Sequence, residues 1–149
     1  MRLLPMIAAA TLMAVSANEA SAEPVTKNEI TRILTDQGYV VEDLDRNKVT
    51  VTVGEYVVLI GVDGSDRDVT YRTYLEGLTG SHLGFDFLNK FNNEVKFGRA
   101  YIDRDGDVAL QMDRNSAGGV SAENIQSDFD VFLLLISKFL SDLEAQTIA

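Results

Sequence analysis

The chain of 149 residues contains no cysteine. Disulfide stapling and thiol catalysis are therefore excluded, whatever compartment the protein occupies. It has one histidine, His82, in the stretch "TGSHLGF". The adjacent Ser81 cannot form a familiar nucleophile–base arrangement with it, and a loop histidine between glycines reads as an ordinary surface residue. No G-x-S-x-G, phosphate-loop or zinc-ligand spacing occurs, so no catalytic, cofactor or metal residues are assigned. Basic clusters are missing as well. Lys and Arg number 13 against 23 Asp and Glu, for a net charge of −10. Such a chain repels phosphate backbones, which excludes nucleic acid as a partner. The acidity is spread along the sequence rather than blocked, as on a solvated surface, and any attraction to a basic partner is weak. Long apolar runs are absent beyond the N-terminus: "VFLLLI" is short and flanked by Asp130 and Lys138. Pro24 is the only proline after the first few residues.

The N-terminus itself is patterned. Arg2 precedes the apolar run "LLPMIAAATLMAV", and "SANEASA" ends in the small-x-small Ala20-Ser21-Ala22. This is the layout of a bacterial secretory signal, residues 1–22, with cleavage after Ala22. A membrane anchor is the rival reading, but the run falls short of the ~18–20 apolar residues that span a hydrocarbon core. The expected protein is periplasmic or secreted, without membrane contact after cleavage. Its single domain comprises residues 23–149, a common domain size.

Secondary structure follows from local chemistry. In "VTKNEI", Thr26 and Glu29 are spaced for a capping box, with Val25 and Ile30 at the staple positions. Ile30, Ile33 and Leu34 share one face, and Gly38 supplies a left-handed stop. From Tyr39 to Leu75 the period becomes two. "VTVTV", "YVVLIGV" and "VTYRTYL" read as strands of an antiparallel meander of about four strands, turned at Asn47, Gly54 and Asp63-Gly64. "YVVLIGV" is apolar on both sides, which predicts a central strand covered on both faces. "GFDFLNKFNN" returns to helical spacing with Leu83, Phe87, Leu88 and Phe91 inward. Two strands, "KFGRAYID" and "VALQMD", precede a long helix capped by Ser121, with Glu123 at the positive end of its dipole. Ile125, Phe129, Phe132, Ile136, Phe139 and Leu143 form its stripe. Val131, Leu134 and Leu135 widen the apolar surface, as core or as a dimer seam. The order α-ββββ-α-ββ-α predicts an α+β fold, helices flanking an antiparallel sheet.

"DRDGD", Asp103 to Asp107, invites a calcium reading. An EF-hand loop begun at Asp103 needs glycine at position 6 and glutamate at position 12, where this sequence has Val108 and Arg114. Asp105-Gly106 instead matches a two-residue type I′ hairpin turn, with loosely held calcium as a minor alternative. About such a turn Tyr101 faces Leu110, Arg99 faces Met112 and Asp103 faces Val108. Phe97, Tyr101, Leu110 and Met112 then form a bulky face, opposite the small Gly98, Ala100 and Ala109 with Ile102. Asn89 and Asn92, one turn apart, are placed to tie a helix end to backbone groups of the next strand.

The stretch "FLNKFNNEVKFGRAYIDRDGDVALQMDRNSAGGVSAENI" resembles the central signature of the YbjN family of bacterial sensory transduction regulators. The signature comprises an N-x-x-N pair, here Asn89 and Asn92, and a basic-Phe-Gly-Arg-Ala-Tyr strand, here Lys96 to Tyr101. An acidic-Gly turn, a return strand and Gly-Gly-Val-Ser at Gly118 to Ser121 complete it. The likeness extends more weakly from Thr26 to about Leu143. Phe91 stands where family members often carry tryptophan. The resemblance implies a fold similar to type III secretion chaperones, often paired into dimers, and no catalytic residues. The functional expectation is a non-enzymatic regulatory or protein-binding domain, taking a peptide or protein on the exposed sheet or the long helix. Candidate residues are Asn89, Phe91, Asn92, Arg99, Tyr101, Val131, Leu134 and Leu135. A homodimer through the C-terminal helix and a secretion-chaperone-like holdase for a protein client are the alternatives.

Overall fold

A computed structural model describes residues 24–148 of the chain, so the secretory signal read at residues 1–22 lies outside the described residues. The element order is α1 (Lys27–Asp36), β1 (Val40–Asp43), β2 (Lys48–Val53), β3 (Tyr56–Asp63), β4 (Asp68–Thr79), α2 (Gly80–Glu94), β5 (Gly98–Ile102), β6 (Asp107–Arg114) and α3 (Ala122–Ile148). This is the α+β order expected from the sequence.

Helix ends form where the local chemistry puts them. At the start of α1 the Glu29 amide donates to Thr26 Oγ1 at 3.2 Å, and the Thr26 amide donates to Glu29 Oε2 at 2.9 Å. Two of the helix's orphan donors are satisfied reciprocally. The helix stops in a Schellman motif: the amide of Tyr39 reaches the Leu34 carbonyl, and that of Gly38 reaches Thr35. Gly38 takes φ +92, which a side chain would oppose. The Ser121 hydroxyl accepts from the Asn124 amide and caps α3. Its backbone hydrogen bond and Ser121 hold the Glu123 carboxyl below the usual range.

The six strands form one antiparallel sheet in the order β1-β2-β3-β4-β6-β5. The β5–β6 hairpin therefore turns back, so that β6 pairs with β4 and β5 becomes an edge. All three helices lie on one face. Val49, Val51, Ile60, Tyr71, Leu110 and Met112 point into that face and are buried. α3 lays Ile125, Phe129, Phe132, Ile136 and Phe139 over them, as its spacing predicts. α1 docks at the β1 side, where Tyr39 meets Phe129 edge-on at 4.9 Å. α2 docks at the β5 side through Phe87 and Phe91, both edge-on to Phe139. Leu83 and Leu88 are buried with them, although Gly84, at φ +72, breaks the helical path between the two.

Two expectations are corrected. β3 is covered on one face only: Val58, Ile60 and Val62 are buried, whereas Val57 is 52 % exposed. Its outward apolar residues belong to an open face, not to a second helical layer. The hairpin register is also shifted. The pairs are Tyr101 with Ala109, Ala100 with Leu110, and Arg99 with Gln111. Tyr101 and Leu110 thus lie on opposite surfaces, and Phe97 is exposed at 77 %. The turn is the reason. Asp103 and Asp107 close it, through the Asp103 amide to the Asp107 carbonyl at 2.9 Å. Between them lie Arg104, Asp105 and Gly106, of which only Gly106 has positive φ, +94. That fits a three-residue loop ending in a left-handed glycine rather than the two-residue type I′ turn, whose central residues both need positive φ. One additional loop residue slips the register by one, which exchanges the two faces of β5 relative to β6 and leaves Leu110 and Met112 in the core.

Candidate functional site

The uncovered face of the sheet collects side chains that no helix needs. Across it, Thr50 of β2, Leu59 of β3, Arg72 of β4, Gln111 of β6 and Arg99 of β5 stand in one row of paired residues. Beside that row lie Val57, Tyr74, Ala109 and Tyr101, with Tyr74 43 % exposed and Ala109 fully covered. Alternation puts them there: each follows or precedes a residue that enters the core.

The centre of the face is a fixed polar network. Gln111 Oε1 accepts from Arg72 Nε at 3.2 Å, from Arg72 Nη2 at 2.8 Å and from the Tyr101 hydroxyl at 3.1 Å. Gln111 Nε2 in turn donates to both Asp113 carboxylate oxygens, at 2.9 and 2.8 Å. Asp113 also accepts from the Thr70 hydroxyl at 2.8 Å and meets Arg99 Nη2 at 3.5 Å. The Arg99 guanidinium lies 5.8 Å from the centre of the Tyr101 ring. Burial pushes the Tyr101 hydroxyl above its ordinary titration range. Gln111, only 7 % exposed, is the hinge between the Arg72 half and the Asp113 half of the network. Next to it, Val57, Leu59, Tyr56 and Tyr74 line a shallow groove of about 430 Å³ together with Glu55 and Glu76.

The residues named from sequence are distributed over the fold. Arg99 and Tyr101 stand together on this face, with Gln111 and not Met112 opposite Arg99. Phe91 is core, 1 % exposed, and Asn89 is on the exposed side of α2. Asn92 Nδ2 donates to the Ala100 carbonyl at 2.9 Å and its Oδ1 accepts from the Ala100 amide at 2.7 Å, the helix-to-strand tie expected of it. Val131, Leu134 and Leu135 are not one strip. Leu135 is 8 % exposed and packs where a side chain on Gly98 would stand, Val131 is half-buried, and Leu134 is 69 % exposed.

Sequence reasoning missed Arg72, Gln111, Asp113 and Tyr74. Arg72 and Gln111 are 39 residues apart and meet only because β6 turns back onto β4. The outward register of Thr70, Arg72 and Tyr74 was readable, and it was the one available signal. In the acidic hairpin, Asp103 Oδ1 accepts from the Asp105 and Asp107 amides at 2.9 and 3.0 Å, so this carboxylate organises its own turn. Among the described residues no group of three or more His, Cys, Asp or Glu is placed to hold a metal ion. Nor is any described helix long and apolar enough to cross a membrane.

Fold and site together define a two-layer α+β domain that presents a bare, hydrogen-bonded sheet face. Residues 26–145 match the model of the YbjN family, described as "Putative bacterial sensory transduction regulator", and the chain belongs to that family. Among solved structures it is similar to YbjN from E. coli, described as "a putative transcription regulator", with a TM-score of 0.67 and 12 % identity. That alignment covers 85 % of this chain and 97 % of the other, and shows a shared fold. No curated protein sequence matches the chain.

Proposed function

We propose that this YbjN-family protein is a non-enzymatic regulatory domain, exported to the periplasm or beyond, that binds a protein segment on the open face of its sheet. The observation that carries the reading is the Arg72–Gln111–Tyr101 network standing beside the exposed Val57 and Tyr74. A rigid polar centre next to apolar and aromatic anchors is the composition of a recognition surface. Tyrosines supply contact area at low entropic cost, and the polar groups fix orientation. The family description as a regulator supports the same reading. Export is supported by the arrangement of Arg2, the apolar run after it and Ala20-Ser21-Ala22.

The test is affinity capture from envelope extract, run in parallel with the wild-type protein and Val57→Arg. A partner retained by the first and lost by the second supports the proposal. A partner held equally by both, or none by either, counts against it. N-terminal sequencing of the chain expressed in its host tests export: the expected first residue is Glu23, and an intact Met1 terminus in the cytosol contradicts it.

A further inference from the structure

Arg46, Arg67, Lys90, Lys96 and Arg104 form no ion pair and are exposed, whereas Arg72 is the one described cation without an ion pair that is half-buried. Of the seven ion pairs among the described residues none involves it, although the net charge is −10. Its neighbour Arg99 meets Asp113, and Lys48 meets Asp45. Arg72 is held instead by neutral groups. Nε and Nη2 both donate to the amide oxygen of Gln111, and Nη1 is 3.5 Å from the Tyr74 hydroxyl, a long and weak contact. Gln111 is in turn locked by Asp113, so the guanidinium plane is set while its charge is not neutralised at contact. A half-buried, oriented guanidinium with one edge toward a tyrosine hydroxyl is a prepared seat for a carboxylate, since such pairs are strongest when the fork is already fixed.

The groove of Val57, Leu59 and Tyr74 opens beside that seat. We infer that the open face recognises an acidic protein segment, one carboxylate on the Arg72 Nη1–Tyr74 hydroxyl edge and a neighbouring apolar side chain in the groove. This rests on the reading of the open face as the binding surface and adds the chemistry of its occupant. Charge complementarity selects it. A basic segment would meet the unpaired charge of Arg72 near the centre of the face. Glu55 and Glu76, which also line the groove, restrict the carboxylate to the Arg72 side and disfavour a uniformly acidic tract there.

The experiment is selection of peptides from a random twelve-residue display library on the mature protein, followed by affinity measurement of the selected peptides on variants. Peptides that Val57→Arg displaces bind the open face. Among those, Asp or Glu beside an apolar residue is expected to be enriched. Replacing that acid by its amide, or Arg72 by Gln, should weaken binding about tenfold or more. Arg72→Lys should recover part of the loss and Arg99→Gln should cost much less. Added salt should weaken the wild-type complex more than the Arg72→Gln complex. Open-face binders without acidic enrichment, or with equal affinity for wild type and Arg72→Gln, overturn the inference and leave the open-face reading standing. A library in which no peptide responds to Val57→Arg overturns both. Equal losses on Arg72→Gln and Arg99→Gln also overturn it, because they mark diffuse attraction rather than a seat.

Discussion

The side-chain amide of Asn92 bonds both the N–H and the C=O of Ala100, the middle residue of edge strand β5. One helical side chain thereby occupies two of the backbone groups that a further strand would use. Unpaired edges template association, so this clamp both fixes α2 and blunts the sheet at that side. Asn92→Ala is expected to lower stability by about 1–2 kcal/mol, from two lost bonds at a partly solvated edge. It should also increase self-association. Urea denaturation and light scattering check the two effects, and unchanged values on both counts contradict the assigned role.

The hairpin turn offers a sharper test of register. Gly106 sits at φ +94, and Asp103 orders the loop through the Asp105 and Asp107 amides. Gly106→Ala and Asp103→Ala should each cost about 1 kcal/mol or more, whereas Asp105→Ala should be nearly neutral. A type I′ turn, with Asp105 at positive φ, would reward Asp105→Gly. Here that change is expected to destabilise slightly. Millimolar calcium should leave the melting temperature unchanged, since the Asp103 carboxylate is already engaged by its own loop.

Gly98 and Leu135 form a size-matched pair across the β5–α3 contact. A methyl group on Gly98 would collide with the end of the Leu135 side chain and crowd the Gln111 carbonyl. Gly98→Ala is expected to destabilise by about 1–2 kcal/mol. Leu135→Ala alone should cost about 2–4 kcal/mol, and the double variant less than the sum. Strict additivity in the double-mutant cycle would show that the two side chains do not share space.

Alkaline pH should destabilise the protein through Tyr71. Burial, with the nearby Asp128 carboxylate adding to it, raises its hydroxyl well above the ordinary 10.0, and burial moves Tyr101 the same way. A group raised in the folded state contributes fully below its unfolded value, so the contribution is lost as pH climbs beyond about 10. The Tyr71 hydroxyl has no hydrogen-bond partner among the described residues. Tyr71→Phe should therefore be neutral or stabilising by up to about 1 kcal/mol at pH 7 and should flatten the alkaline decline. Denaturation midpoints from pH 7 to 11 on both proteins decide it.

What was readable in the sequence is what local chemistry determines. Thr26, Glu29 and Gly38 specify both ends of α1 without help from the rest of the chain, and the stripe from Ile125 to Phe139 announces its own buried face. The faces of β5 and β6 were not readable. Asp-Gly fits a two-residue and a three-residue turn equally well, and one residue of difference moves Tyr101 from the core side to the open side. Gly98 and Ala100 beside the greasy α3 carried the missing hint, because small residues belong where a helix approaches closely. The Arg72–Gln111 contact was invisible for a different reason. It depends on β6 choosing β4 as neighbour, a tertiary fact with no local signature. Val131, Leu134 and Leu135 were grouped by composition, whereas helical geometry sends Leu135 inward and Leu134 outward.

The most direct measurement is site-specific photo-crosslinking in the producing cell, with the reactive residue at Tyr74 on the open sheet face or at Leu134 on the outer side of α3. A discrete heterologous adduct from Tyr74, abolished by Val57→Arg and absent from Leu134, is the expected result. Adducts from Leu134 with none from Tyr74 would contradict the assignment of the open face.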